Sequence, residues 1–149
     1  NNSNFSITAQ PSYLSRYNPR VYTKINGWID WSLSSLNLSR FINSFDDPYD
    51  GAMTYINEQK VHIKKVQLHG GDTPNHPFMS GIISRHDGDW ITVCTSDQNM
   101  ILVESVIDLK EKNILKNLRV GDRFITPSKY LDSSKKRVKF TSRGISKKN

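Results

Sequence analysis

The sequence predicts a mainly β domain with one N-terminal helix, its strands forming a small antiparallel barrel or sandwich. Three observations carry this. From Ala52 onward, short runs alternate apolar and polar residues and recur at roughly ten-residue spacing, separated by turn-forming clusters. Ahead of them one stretch places Leu38, Phe41, Ile42 and Phe45 at i, i+3, i+4 and i+7, a single face of a 3.6-residue period. Finally, 149 residues with 36% hydrophobic content fit one domain with a modest core, which excludes a fully disordered chain.

Residues 1–24 hold no sustained period and contain Pro11 and Pro19, which reads as an extended connector. Its aromatic and basic content (Tyr13, Arg16, Tyr17, Arg20, Tyr22, Lys24) is too rich for a flexible Gly/Ser linker, so it is expected to lie against a surface. Asn26-Gly27 marks a turn, since both residues tolerate positive φ. The helix is expected from Ser35 to Phe45, with Ser34 as N-cap and Leu38, Phe41, Ile42 and Phe45 as its buried face. Asp46-Asp47-Pro48 ends it, because the residue before proline is biased away from the helical region.

Strands are then expected over 52–56 and 61–66, around an Asn57-Glu58-Gln59-Lys60 turn. A Gly-, Asp-, Asn- and Pro-rich loop runs from His69 to Pro77. Further strands are expected over 81–84, 90–94 and 100–103, and a short helix within Leu109–Leu118. A strand starts within Arg119–Phe124, and Val138–Thr141 is read as the last.

Charge is unevenly placed. Residues 1–108 carry 8 basic and 11 acidic side chains, whereas residues 109–149 carry 13 basic and 3 acidic ones, for a net charge of +7 overall. A polyanion-binding surface at the C-terminal end and an ordinary solvated tail are both compatible with that distribution. No apolar run reaches the ~18–20 residues that cross a bilayer, and no basic-then-apolar leader opens the chain. A cytoplasmic location without membrane association is the expectation. The sequence opens Asn1-Asn2-Ser3-Asn4 without Met, and is read as a piece of a longer protein.

Few residues advertise chemistry of their own. His62, His69, His76 and His86 lack the spacing of a convergent ligand set, and the single Cys94 can complete neither a disulfide nor a Cys-cluster zinc site, so no metal is expected. Cys94 alternates with apolar residues in a strand and reads as packing rather than as a nucleophile. No G-x-S-x-G, Walker A or G-x-G-x-x-G segment occurs, and Gly70-Gly71-Asp72 is too short to cradle a phosphate.

The specific stretch is Asn26-Gly27-Trp28-Ile29-Asp30-Trp31-Ser32-Leu33-Ser34, followed by the helix and Asp46-Asp47-Pro48-Tyr49-Asp50-Gly51-Ala52. It resembles the segment that joins the catalytic core to the C-terminal domain in the folate-dependent formyltransferases, the family of methionyl-tRNA formyltransferase and of the N-formyltransferases of nucleotide-linked amino sugars. The family pattern is similar to G-x-I-D-W-S, a helix with Ile-Arg-Ala-Phe, then P-x-x-G-A and a strand; here Asn43 stands where the family usually has Arg. Pro77-Phe78-Met79-Ser80-Gly81-Ile82-Ile83 and Trp90-Ile91-Thr92-Val93 resemble the strands of its barrel. Gly121-Asp122-Arg123-Phe124-Ile125-Thr126-Pro127 looks closer to the sugar-modifying branch.

The resemblance implies an OB-like open β-barrel serving as an accessory C-terminal domain. It divides the chain into a connector to a catalytic core over 1–24, the helix and barrel over 25–131, and a basic C-terminal segment over 132–149. The family's catalytic Asn, His and Asp belong to core segments that have no counterpart here; His76 and Asp30 lie on the wrong side of the core–barrel junction. No catalytic residue is therefore expected, and the chain alone is expected to be inactive. 10-Formyltetrahydrofolate is implied for the core, with no cofactor in this chain.

The expected partners are that N-terminal formyltransferase core, a sugar-nucleotide acceptor in preference to tRNA, and a second subunit if the barrel serves dimerisation. Tyr17, Arg20, Tyr22 and Lys24 are the candidates to face the acceptor, Arg20 being suited to bidentate phosphate contacts. Lys135, Lys136, Arg137 and Lys139 are the candidates under the rival nucleic-acid-binding reading, since OB-like barrels bind single strands through basic grooves.

Overall fold

The computed structural model describes residues 15–17, 20–70 and 74–145. Tyr13, Gly71, Asp72, Lys147 and Lys148 lie outside these. The chain folds as α1 (Thr23–Asn26), α2 (Ser35–Ser44), β1 (Ala52–Ile56), β2 (Gln59–His69), β3 (Ile83–His86), β4 (Ile91–Cys94), β5 (Met100–Ile107), β6 (Phe124–Ile125), α3 (Ser128–Ser134), β7 (Phe140–Thr141) and β8 (Gly144–Ile145). Six strands form one antiparallel sheet in the order β3-β4-β5-β2-β1-β6, and β7 and β8 form a separate hairpin.

The sheet curls until its ends meet. Ile82 bridges Arg123, the Ile83 N–H donates to Asp122 O at 2.9 Å, and the Phe124 N–H donates to Gly81 O at 2.8 Å. Gly81 is required at this seam: its φ is +90°, and a Cβ there would stand 2.4 Å from Phe124 O. Curling the sheet buries alternate residues on one side, so Ile63, Ile83, Ile91, Val93, Ile101 and Phe124 make the core. The mainly β architecture agrees with the expectation.

Helix α2 plugs this core. Ser34 Oγ accepts from the Asn37 N–H, as an N-cap should, and Leu38 and Ile42 are fully buried with Phe45 beside them. Phe41 is the exception to the expected buried face: it is only half-buried and tilts against Phe45. The helix stops at Ser44, and the Asp47-Pro48 peptide is cis. Gly51 follows at φ +102°, where a Cβ would stand 2.9 Å from Lys64 Cγ; that crowding is the physical content of the glycine in Pro48-Tyr49-Asp50-Gly51-Ala52.

Beyond Phe41 the structure departs from expectation elsewhere too: Val138–Thr141 is not the last strand, since β7 covers only Phe140–Thr141 and pairs with the later β8. The β1–β2 connection is a two-residue turn, Asn57 and Glu58 both at positive φ, so β2 starts at Gln59 and runs past Val66 to His69. Leu109–Leu118 holds only a 3-10 turn at Leu115–Asn117, because Asp108 Oδ1 accepts from the Lys110 and Lys112 N–H groups and Asn113 Oδ1 from those of Val106 and Leu115. Two helices were not expected: α1, a single turn where a bend was read at Asn26-Gly27, and α3, which follows Pro127.

Candidate functional site

The connector and the C-terminal segment are far apart in sequence and adjacent in space. A hydrogen bond, ring stacking and two cation–π contacts hold this region together, beginning at α1. Asn26 Oδ1 accepts from the Tyr22 N–H at 2.7 Å, which holds the amide so that its Nδ2 donates to Ser134 O at 2.8 Å at the end of α3. Helix α3 is held in turn by stacking: Tyr130 lies on Trp28 with centroids 4.3 Å apart, and Tyr55 stacks on both at 5.8 Å. Lys60 Nζ sits 5.2 Å from the Trp28 ring and Lys129 Nζ 5.0 Å from the Tyr130 ring. Tyr55 donates to Tyr130 Oη over 3.4 Å, which raises the Tyr55 pKa.

Beyond α3 the chain turns back over the connector. The Arg20 guanidinium lies over the Phe140 ring, 4.2 Å from its centroid, and the Arg137 guanidinium over the Tyr17 ring at 5.2 Å. Each segment thus gives one arginine to the other's ring. Between them opens a groove in two connected parts, about 560 Å³ and about 480 Å³, that share Tyr17, Arg20, Arg137 and Val138. Trp28, Leu33, Phe41, Phe45 and Leu131 floor the larger part, and Lys135 and Lys136 stand at its rim. Lys139 and Phe140 line the smaller part.

Of the residues expected to face an acceptor, Tyr17 and Arg20 therefore line the groove. Tyr22 precedes α1 with its side chain half-buried, and Lys24 is exposed, both outside the lining. All four residues of the rival set, Lys135, Lys136, Arg137 and Lys139, line it too. Sequence reading missed the floor, because only the fold-back of α3 brings Leu131 and Val138 beside Trp28 and Phe41. Half-burial of Phe41 has the same origin: its outer face belongs to the groove.

Electrostatically the groove is one-sided. None of Arg20, Lys135, Lys136, Arg137 and Lys139 forms an ion pair among the described residues. Asp30, the one carboxylate among the described residues that line the larger part, accepts at Oδ1 from the Ser32 N–H and Oγ.

A second carboxylate, outside the lining, holds the first turn of α2, the helix whose far end brings Phe41, Ser44 and Phe45 to the groove. Asp97, in the β4–β5 turn, accepts from the Ser35 N–H at 2.9 Å and Ser35 Oγ at 2.8 Å through Oδ2. Its Oδ1 accepts from Thr95 Oγ1 at 2.6 Å and the Asn99 N–H at 3.0 Å. Partial burial would raise its pKa, but these donors prevail and hold it at about 2. Ser96 Oγ is within reach of both Ser32 O and Leu33 O, so the whole turn latches α2 in place.

The remaining chemistry-bearing residues serve the fold. Cys94 is fully buried in β4, where burial pushes its thiol up. His76 Nδ1 accepts from the Phe78 N–H, and His86 Nδ1 accepts from the Gly88 N–H while its Nε2 meets Leu115 O at 2.8 Å. His62 is half-buried, and burial, reinforced by Lys60, lowers its pKa. Among the described residues no three His, Cys, Asp or Glu side chains converge on a metal position, and no helix is long and apolar enough to cross a membrane.

The search of curated proteins returned no match. The family model of the formyl transferase C-terminal domain does match, over residues 22–120. That span opens at the residue before α1, takes in α2 and the Gly51 turn, and ends just before the seam at Gly121–Phe124. With a curled antiparallel sheet plugged by an N-terminal helix and two thirds of the chain matched, the protein belongs to the formyl transferase C-terminal domain family.

Proposed function

We propose that this chain is the accessory domain of a 10-formyltetrahydrofolate-dependent N-formyltransferase, and that it forms the acceptor-facing wall of an active site carried by an N-terminal core. The acceptor in this reading is the amine of a nucleotide-linked amino sugar. One observation supports it above the others: the connector lies on the C-terminal segment and builds a cationic groove just where the chain enters the domain. A formyl transfer to an amine needs a general base and oxyanion donors. The groove's titratable groups are cations, the Tyr17 phenol and one capped aspartate, and this reading gives none of them the general-base role. Binding and orientation are what it can supply, and orientation alone is a large catalytic factor.

The test is formyl transfer by the gene product that carries this chain behind such a core. Amino-sugar nucleotides and methionyl-tRNA are offered in competition, and the 149-residue chain is assayed beside it. Transfer to the sugar nucleotide by the complete protein and none by the 149-residue chain is the expected result. Preferred transfer to methionyl-tRNA, or turnover by the isolated chain, overturns it. The tRNA reading draws on the gathering of Lys135, Lys136, Arg137 and Lys139 on one groove. The floor of that groove argues for a compact organic ligand over an extended phosphodiester track.

A further inference from the structure

We infer that the groove between connector and C-terminal segment binds the diphosphate of a nucleoside diphosphate, with Arg20 and Arg137 as the phosphate ligands and the apolar floor receiving the organic part. This rests on the acceptor class proposed above and assigns its recognition to residues of this chain, most of them beyond the matched span 22–120.

The argument begins with repulsion. Five cations from two segments are brought to one groove without a carboxylate partner among the described residues. Like charges gathered in this way destabilise the unliganded fold unless an anion neutralises them. No carboxylate lines the smaller part, where Arg20, Arg137 and Lys139 meet. Two phosphates supply the matching charge.

The arginine geometry then narrows the anion. Each guanidinium lies over an aromatic ring, Arg20 on Phe140 and Arg137 on Tyr17. Neither guanidinium donates a hydrogen bond to a protein group among the described residues, so the planar fork that grips phosphate oxygens in pairs is left available. The rings thus preset both arginines before a ligand arrives. Lysines at 135, 136 and 139 add point charge without a fixed direction.

Size and lining decide between a bare anion and a nucleotide. A groove part of about 560 Å³ falls within the range of small-molecule sites, far beyond what one phosphate fills. Its floor of Trp28, Leu33, Phe41, Phe45 and Leu131 suits a base and sugar, not free phosphate.

The test titrates UDP, pyrophosphate, uridine and a tRNA into the 149-residue chain by calorimetry, at about 50 and 200 mM salt. UDP is expected to bind saturably, pyrophosphate more weakly, and uridine without measurable heat. Arg20→Ala and Arg137→Ala are each expected to weaken UDP about tenfold or more, the loss of a charge-assisted pair of hydrogen bonds. Arg20→Lys keeps the charge, so it is expected to recover only part of that loss. Thermal melts of the variants establish that they fold. UDP binding that is absent, or that survives the Arg20→Ala/Arg137→Ala double variant in folded protein, overturns the inference. So does tRNA binding tighter than UDP with a log–log salt slope of several units, which assigns the groove to RNA. Formyl transfer to a sugar nucleotide with unchanged KM in the double variant sinks this inference and leaves the acceptor reading standing. Absence of such transfer in the unmodified complete protein sinks the acceptor reading itself.

Discussion

Removing the Asp97 carboxylate tests how the groove's α2 wall is held. Asp97→Ala deletes the acceptor of four hydrogen bonds at once: two from Ser35 at the first turn of α2, one from Thr95 and one from Asn99. Each is charge-assisted, worth about 1.5–3 kcal/mol when buried, yet the carboxylate is partly wet and the four share one group. An overall loss of about 2–4 kcal/mol follows, with the favourable placement of an anion at a helix N-terminus included. The lowered pKa expresses the same four contacts. A carboxylate displaced from 3.8 to about 2 favours folding by at most ~2–3 kcal/mol, and solvent screening reduces that. The sign is that of a depressed acid: the contribution is complete above the unfolded value and disappears as pH falls from about 4 through about 2. Urea denaturation at pH 7, 4 and 2.5 reads both quantities. Asp97→Asn keeps an acceptor but no charge, so it is expected to cost about 1–2 kcal/mol at pH 7 and to flatten the acid limb. If Asp97→Ala lies within about 0.5 kcal/mol of the unsubstituted protein at pH 7, the surface-substitution range, then the latch does not hold α2.

Three further outcomes follow from the same geometry. Ile42→Ala, at a fully buried position, is expected to cost about 2–5 kcal/mol, whereas half-buried Phe41→Ala costs about 1–2 kcal/mol; equal losses in urea melts would remove Phe41 from the groove wall. Gly81→Ala puts a methyl 2.4 Å from Phe124 O at φ +90°, so the seam must open: a loss above about 2 kcal/mol, with faster amide exchange at Ile83 and Phe124, is expected, and exchange as slow as in the unsubstituted protein refutes closure there. Phe140→Ala frees Arg20 from its ring; tryptic cleavage after Arg20 is expected to accelerate severalfold, and an unchanged rate means that the cation–π contact does not hold the connector.

What the sequence disclosed was local order backed by burial. Ser34 as cap, α2 and β1 were legible because an apolar period with a cap, or a short strand-forming run bounded by turn residues, coincides with what tertiary packing then buries. The short helix read in Leu109–Leu118 is confined to the 3-10 helix at Leu115–Asn117, because Asp108 and Asn113 draw backbone N–H groups to their side chains, a competition that periodicity does not register. Helix α3 escaped notice for the opposite reason. Ser128–Ser134 contains no buried residue and no apolar stripe, and it is held by contacts distant in sequence: Tyr130 on Trp28 and Tyr55, and the Asn26 amide on Ser134 O. The groove inherits that blindness, since its shape depends on where α3 delivers Leu131 and the residues after it.

The same fold-back changes the meaning of the charge asymmetry. Read along the chain, Tyr17 and Arg20 answered one functional hypothesis, and the cations at 135–139 answered another. In the folded domain Arg137 lies on Tyr17 and Phe140 beneath Arg20, so the two sets are halves of one surface. A solvated tail would scatter its charges; here Asn26 grips Ser134, Tyr130 stacks on Trp28, and the lysines that follow are held at a groove. Ligand class therefore turns on the shape of that groove rather than on the count of cations. Its apolar floor lies between paired, ring-backed arginines and a helix wall that the Asp97 latch holds in position, a geometry suited to an anion carrying an organic body.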